Sequence, residues 1–221
     1  PVDGGWLLYN IKVFKIFGKD RDFTFDNCQL ICTFKTKTKM MVTEFQKNLD
    51  YVTGHRANRQ KYADEVLNNP ELFSELIQLC FQISNKNSSK ACWILEFVCY
   101  QKLEWLTPHL DFFCSQIKNL KDESAIRPVA KICQLLVFSH YKEKKAILSE
   151  KHLEEITESS FDWLINDTKV ASKAYSMRTL YLLGRHYDWI HPELKTIIVK
   201  DFPNHSAAYK AVAKEVLKKI K

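Results

Sequence analysis

The residues best suited to gripping a ligand crowd into Thr53-Gly54-His55-Arg56-Ala57-Asn58-Arg59-Gln60-Lys61-Tyr62. His55, Arg56, Asn58, Arg59 and Lys61 stand where a helix begins. Unpaired N–H groups there add to the guanidinium forks in holding a phosphate or a carboxylate. The same residues also suit a solvated helix face beside a glycine turn, and the sequence leaves both readings open. Catalytic chemistry has less to rest on. The chain has no G-x-S-x-G, no phosphate-cradling glycine loop and no G-x-G-x-x-G. Of its seven cysteines, Cys80, Cys92, Cys99, Cys114 and Cys133 lie among Leu, Phe and Val. Cys92 and Cys99, seven apart, share a helix face, and no C-x-x-C occurs, so the pattern predicts buried, reduced thiols rather than a metal centre or a disulfide framework. His152 precedes Glu154 and Glu155 without forming H-E-x-x-H, and His186 and His191 flank a helix break. No catalytic residue, metal or cofactor is expected.

A second set of charged residues sits on helices that resemble one another. Lys90-Ala91-Cys92-Trp93-Ile94-Leu95, Arg127-Pro128-Val129-Ala130-Lys131-Ile132 and Lys173-Ala174-Tyr175-Ser176-Met177-Arg178 each place a basic residue early, then small and large apolar residues at helical spacing. Lys90, Glu96, Arg127, Lys131, Lys173 and Arg178 are the contact candidates here. They either line a binding face or form an internal ladder with acidic loop residues such as Asp122 and Asp167.

The elements that carry these residues recur. Pro70-Glu71-Leu72, Pro108-His109-Leu110 and Pro192-Glu193-Leu194 share a helix-start signature, and Lys151-His152-Leu153 fills the gap, giving intervals of 38, 43 and 41 residues. Proline suits a first helical turn because its missing N–H would be unpaired there anyway. Trp105 and Trp189 each precede such a proline by three residues. Their rings either pin the new helix or serve as stacking platforms for a ligand. Periodicity and punctuation predict helices near 42–53, 56–68, 70–84, 88–101, 107–119, 124–141, 150–165, 168–186, 191–200 and 205–220, with Asp167 and Asn204 as N-caps.

A forty-residue period of helical pairs belongs to stacked repeats. The run Asp167-Thr168-Lys169-Val170-Ala171-Ser172-Lys173-Ala174, continuing to Arg178, Leu180 and Leu183, resembles the second helix of a HEAT repeat, and Ser124 to Ala130 is similar. The resemblance covers roughly residues 70–221. It implies an all-α fold, a right-handed α-α superhelix of about four pairs, whose second helices line a concave face. It further implies a non-catalytic scaffold that binds a protein partner through that face. Two enzyme readings stand beside it. HEAT-like DNA glycosylases that remove alkylated bases carry aromatic residues and an aspartate on the concave surface, and Trp93, Trp105, Trp163 with Asp162, and Trp189 with Asp188 are the groups that would serve. From Thr53 onward the chain also looks like small bacterial helical proteins sometimes named adenylosuccinate lyase. It lacks the lyase loop of the form S-S-x-M-P-x-K-x-N, so no catalytic residue carries over.

Charge narrows the partners. The net charge of +7 comes from +3 over residues 1–41 and +4 over 205–221, while residues 42–204 hold 21 charges of each sign. That balance weakens a nucleic-acid reading without removing it. No apolar run reaches the roughly 20 residues that span a membrane. The early stretch from Trp6 to Phe17 is broken by Lys12 and Lys15 and ends without a small-residue cleavage site, so a cytoplasmic protein is expected. The first forty residues differ from the rest, with strand-like alternation over 22–39. The expected division is an extension over 1–40, either lying upstream of a natural translation start at Met40 or Met41 or forming an N-terminal hairpin that covers the first repeat, and a repeat domain over 41–221.

Overall fold

A computed structural model describes residues 40, 44–143, 147–166 and 168–220. Contacts divide the chain into two units, Pro1–Met41 and Val42–Lys221. Apart from the exposed Met40, the first unit lies outside the described residues, and with it the strand-like stretch, Cys28 and Cys32.

The second unit is helical, with no strand among the described residues. A helical segment over 44–51 leads to α1 (Arg56–Asn68), α2 (Phe73–Cys80), α3 (Ser88–Gln101), α4 (Leu110–Ile117), α5 (Glu123–Phe138), α6 (Glu150–Ile165), α7 (Val170–Leu183), α8 (Ile190–Asp201) and α9 (Ala207–Lys219). The odd helices form one layer, α1 packing on α3, α3 on α5, α5 on α7 and α7 on α9. The even helices lie behind them, α2 against α3, α4 against α6, and both α6 and α8 against α7. The core runs between the layers. Phe73, Leu76, Ile94, Leu95, Leu106, Phe113, Ile132, Leu164, Leu180 and Leu194 are all buried in it.

The three prolines of the recurring signature fall at helix starts, as their chemistry requires. Pro70 opens the 3-10 turn Pro70–Leu72 ahead of α2, Pro108 sits in the 3-10 segment Leu103–His109 ahead of α4, and Pro192 lies in the first turn of α8. Where Lys151 replaces proline, a serine starts the helix instead. The Ser149 hydroxyl accepts from the His152 N–H at 3.3 Å and the His152 Nδ1 accepts from the Ser149 N–H at 3.2 Å, a reciprocal capping box. Because Nδ1 accepts, Nε2 carries the ring proton, and it reaches Asp111 of α4 at 2.7 Å. One histidine thus caps α6 and ties it to its neighbour in the even layer.

Pro128 is the exception, for it lies inside α5. It has no N–H for the carbonyl of Ser124 four residues back. The indole N–H of Trp93 on α3 donates to that carbonyl instead, at 2.7 Å. A backbone vacancy in one pair is thereby filled from the pair before it.

The structure moves several predicted ends. The helix expected to run to 84 stops at Cys80, because Phe81–Asn85 form successive turns. The last helix is not capped by Asn204. Phe202–Asn204 continues α8 as a 3-10 turn, and the extended Ser206 is the N-cap, its hydroxyl accepting from Tyr209 N–H at 3.4 Å. Lys169 stands at the N-cap of α7, and the expected cap Asp167 lies outside the described residues.

Candidate functional site

The first turn of α1 carries two arginines and no acid, and its N-cap His55 makes no capping bond. Cations there oppose the positive end of the helix dipole. Asn58 is already used, since its Oδ1 accepts from Thr53 N–H at 2.8 Å and closes the preceding turn. Arg56 and Arg59 point over the Phe97 ring of α3, their guanidinium carbons 5.8 and 5.1 Å from its centroid. Among the described residues neither has an acidic partner, and Arg59 Nε is buried without a hydrogen-bond acceptor.

One helix further on, Glu96 is 3% exposed and receives Arg127 Nη2 at 3.1 Å and Lys131 Nζ at 2.8 Å, both from α5. Burying a carboxylate is costly unless it is paired and hydrogen-bonded, and these two cations meet that condition. Lys131 also lies 4.4 Å from the Tyr100 centroid and 5.9 Å from that of Tyr175 on α7. Burial, then the Arg127 guanidinium, lowers the pKa of Arg59 below the ordinary arginine value. Arg127 and Lys131 thus pair with one carboxylate between α3 and α5, Arg59 of α1 feels both that carboxylate and the Arg127 guanidinium, and Phe97, Tyr100 and Tyr175 set aromatic rings beside these cations.

The other candidates are spent inside the fold. Lys90 Nζ donates to the carbonyls of Leu49 and Asp50 at 3.1 and 2.9 Å, closing the end of the 44–51 segment. Lys173 is 4% exposed and donates to Leu164 O at 2.7 Å at the end of α6. Both are helix C-termini, where cations are favoured. Arg178 reaches Glu215 of α9 at 2.8 Å, and Lys219 pairs with the other oxygen of the same carboxylate at 2.8 Å. Charged side chains do link neighbouring odd helices, but through Glu96 and Glu215 on the helices. The Asp122 carboxylate, one of the loop acids considered as a partner, instead accepts from Ser124 N–H at 2.9 Å as the N-cap of α5.

The tryptophans of the glycosylase reading take separate structural places. Trp93 holds Ser124, Trp163 is buried, Trp105 meets Phe73 edge-on at 5.5 Å and Trp189 stacks on Phe161 at 5.7 Å. The equivalent rings Trp105 and Trp189 thus each rest on an aromatic residue of the preceding even helix. Phe97, Tyr100, Tyr175 and Glu215 complete the charged face without having stood out in the sequence, because each earns its place from a contact across helices. Among the described residues no three His, Cys, Asp or Glu side chains cluster as a metal site would require. The five helical cysteines are all buried and free.

A family model described as a HEAT repeat domain matches residues 45–220. No curated protein and no solved structure matches the chain. The match lies with helical repeats and lends the lyase name no support. Two layers of paired helices, recurring proline starts and cross-pair tryptophan contacts agree with it, and the chain belongs to the HEAT repeat domain family.

Proposed function

We propose that this chain is a non-catalytic scaffold that binds a protein partner on the face of its odd helices, the layer expected to be concave in such a stack. The observation that supports this reading is the half-exposed band of aromatic rings and cations over α1, α3, α5 and α7. Tyr100 leaves 61% of its surface to solvent beside Lys131, although its helix is otherwise deeply packed. Aromatic and arginine side chains on a rigid helical face are the usual anchors of protein interfaces. The even layer presents Val199, also well exposed, without such a setting.

A photo-cross-linking residue placed at position 100 or at position 199 tests the reading in cells. Adducts at 100 and not at 199 that are destroyed by protease and survive nuclease are the expected result. Nuclease-sensitive adducts at 100 would replace the protein partner with a nucleic acid, the alternative that the basic residues keep open. Adducts confined to 199 would move the docking surface to the other layer.

A further inference from the structure

The corner where α1 meets α3 and α5 is costly in the free protein. Among the described residues Arg56 and Arg59 oppose the α1 dipole and have no acidic hydrogen-bond partner, and Arg59 lies near Arg127 with its Nε desolvated and without an acceptor. Glu96 attracts Arg59 but accepts no hydrogen bond from it, because both its oxygens are taken by Arg127 and Lys131. Contact with Phe97 holds the guanidinium groups in place but supplies no hydrogen-bond acceptor. An incoming oxyanion on the guanidinium Nη groups would neutralise the crowded charge and complement the helix start at once.

We propose that Arg56, Arg59 and Arg127, of which only Nη2 is engaged by Glu96, form a docking site for an oxyanion side chain on an acidic segment of the protein partner. The inference rests on the scaffold reading and names the chemistry of its partner. A protein segment suits the geometry better than a nucleic-acid backbone. Arg56 and Arg59 lie together at one corner, whereas Lys131 and Arg178 in the middle of the same layer are held by Glu96 and Glu215. A point charge flanked by ring surface matches one acidic side chain among apolar neighbours. A polyphosphate backbone would need a continuous basic track.

The test is fluorescence anisotropy of the full chain with four labelled probes: a decaglutamate peptide, a phosphoserine peptide of equal charge, decalysine and a duplex DNA. Both acidic peptides are expected to bind and decalysine is not, and the tighter of the two identifies the oxyanion as carboxylate or phosphate. R56Q/R59Q should weaken that binding by about tenfold or more, since two charge-assisted donors are lost. K195Q/K200Q removes the same charge from exposed positions on α8 and should leave binding unchanged. R56Q/R59Q should melt at the wild-type temperature or above, because it relieves the opposed dipole. If it melts lower, R56K/R59K serves instead, keeping the charge over Phe97 without the planar fork, and must still bind more weakly than wild type. The proposal is overturned by wild-type protein that binds neither acidic peptide, by arginine variants that bind as well as wild type, by equal loss in K195Q/K200Q, or by a preference for duplex DNA that depends on the same arginines. A cross-link at position 100 without acidic-peptide binding would remove this inference alone and leave the scaffold standing.

Discussion

At the scale of single residues, the most informative contact is the one between Trp93 and the backbone beside Pro128. A proline six residues into a helix deprives one carbonyl of its donor, and a buried carbonyl left without a partner costs about 1–3 kcal/mol. The indole N–H meets that need from another helix. Trp93→Phe should therefore destabilise the protein by about 1–3 kcal/mol in urea unfolding. Pro128→Ala returns a main-chain N–H to the Ser124 carbonyl, so W93F should cost much less in the P128A background. A double-mutant cycle with no coupling between the two positions would show that the ring matters for packing and not for its N–H. Trp93 was legible in the sequence as an early aromatic of a second helix. Its partnership with Pro128 was not, since nothing in local spacing tells a tryptophan which carbonyl, thirty-one residues on, lacks a donor.

At the scale of elements, the joins from α7 to α8 and to α9 rest on close approach and on charge. Gly184 ends α7 at an ordinary right-handed conformation, so backbone freedom is not what selects glycine. The His191 ring of α8 occupies the place a Cβ would take, held by a bond of 3.0 Å between Nε2 and Tyr181 O and by stacking on the Tyr181 ring. Gly184→Ala should cost about 1–3 kcal/mol through overpacking, and His191→Ala in the same protein should recover part of it, which thermal unfolding of the four variants would measure. On the other side, Arg178 and then Lys219 hold the Glu215 carboxyl down to about 2. Its folded pKa lies below the ordinary glutamate value, so its contribution is complete above that value and disappears as pH falls towards about 2. The Tm difference between wild type and Glu215→Gln should accordingly be largest near neutral pH and shrink through that acid window. A difference independent of pH would mean that Glu215 acts by packing rather than by charge. Helix positions and proline starts were readable because they follow from local chemistry and a 3.6-residue period. The choice of Ser206 over Asn204 as a cap was not, because it depends on α8 continuing one 3-10 turn further than its sequence pattern suggests.

At the scale of the whole molecule, the fold class was legible because a forty-residue period leaves few ways to bury its apolar stripes other than by stacking pairs. The binding face was legible only in part. Sequence spacing found the cations on the second helices, but it could not separate Lys173, buried at the end of α6, from Arg59, which has no acceptor. That distinction lies in contacts between repeats. The same one-dimensional logic governs how the stack opens, for each helix pair contacts its neighbours in the stack and its stability is a local sum. Cys80, Cys92 and Cys99 belong to α2 and α3, whereas Cys114 and Cys133 belong to α4 and α5. All are buried, and burial pushes Cys114 up to about 12 and the thiols of Cys80, Cys99 and Cys133 well above the ordinary range, so alkylation must wait for local opening. Timed iodoacetamide labelling read by peptide mass spectrometry should find the first three reacting together and the last two together, at two different rates. A single rate shared by all five would mean that the pairs are not separate units and that the domain opens all at once.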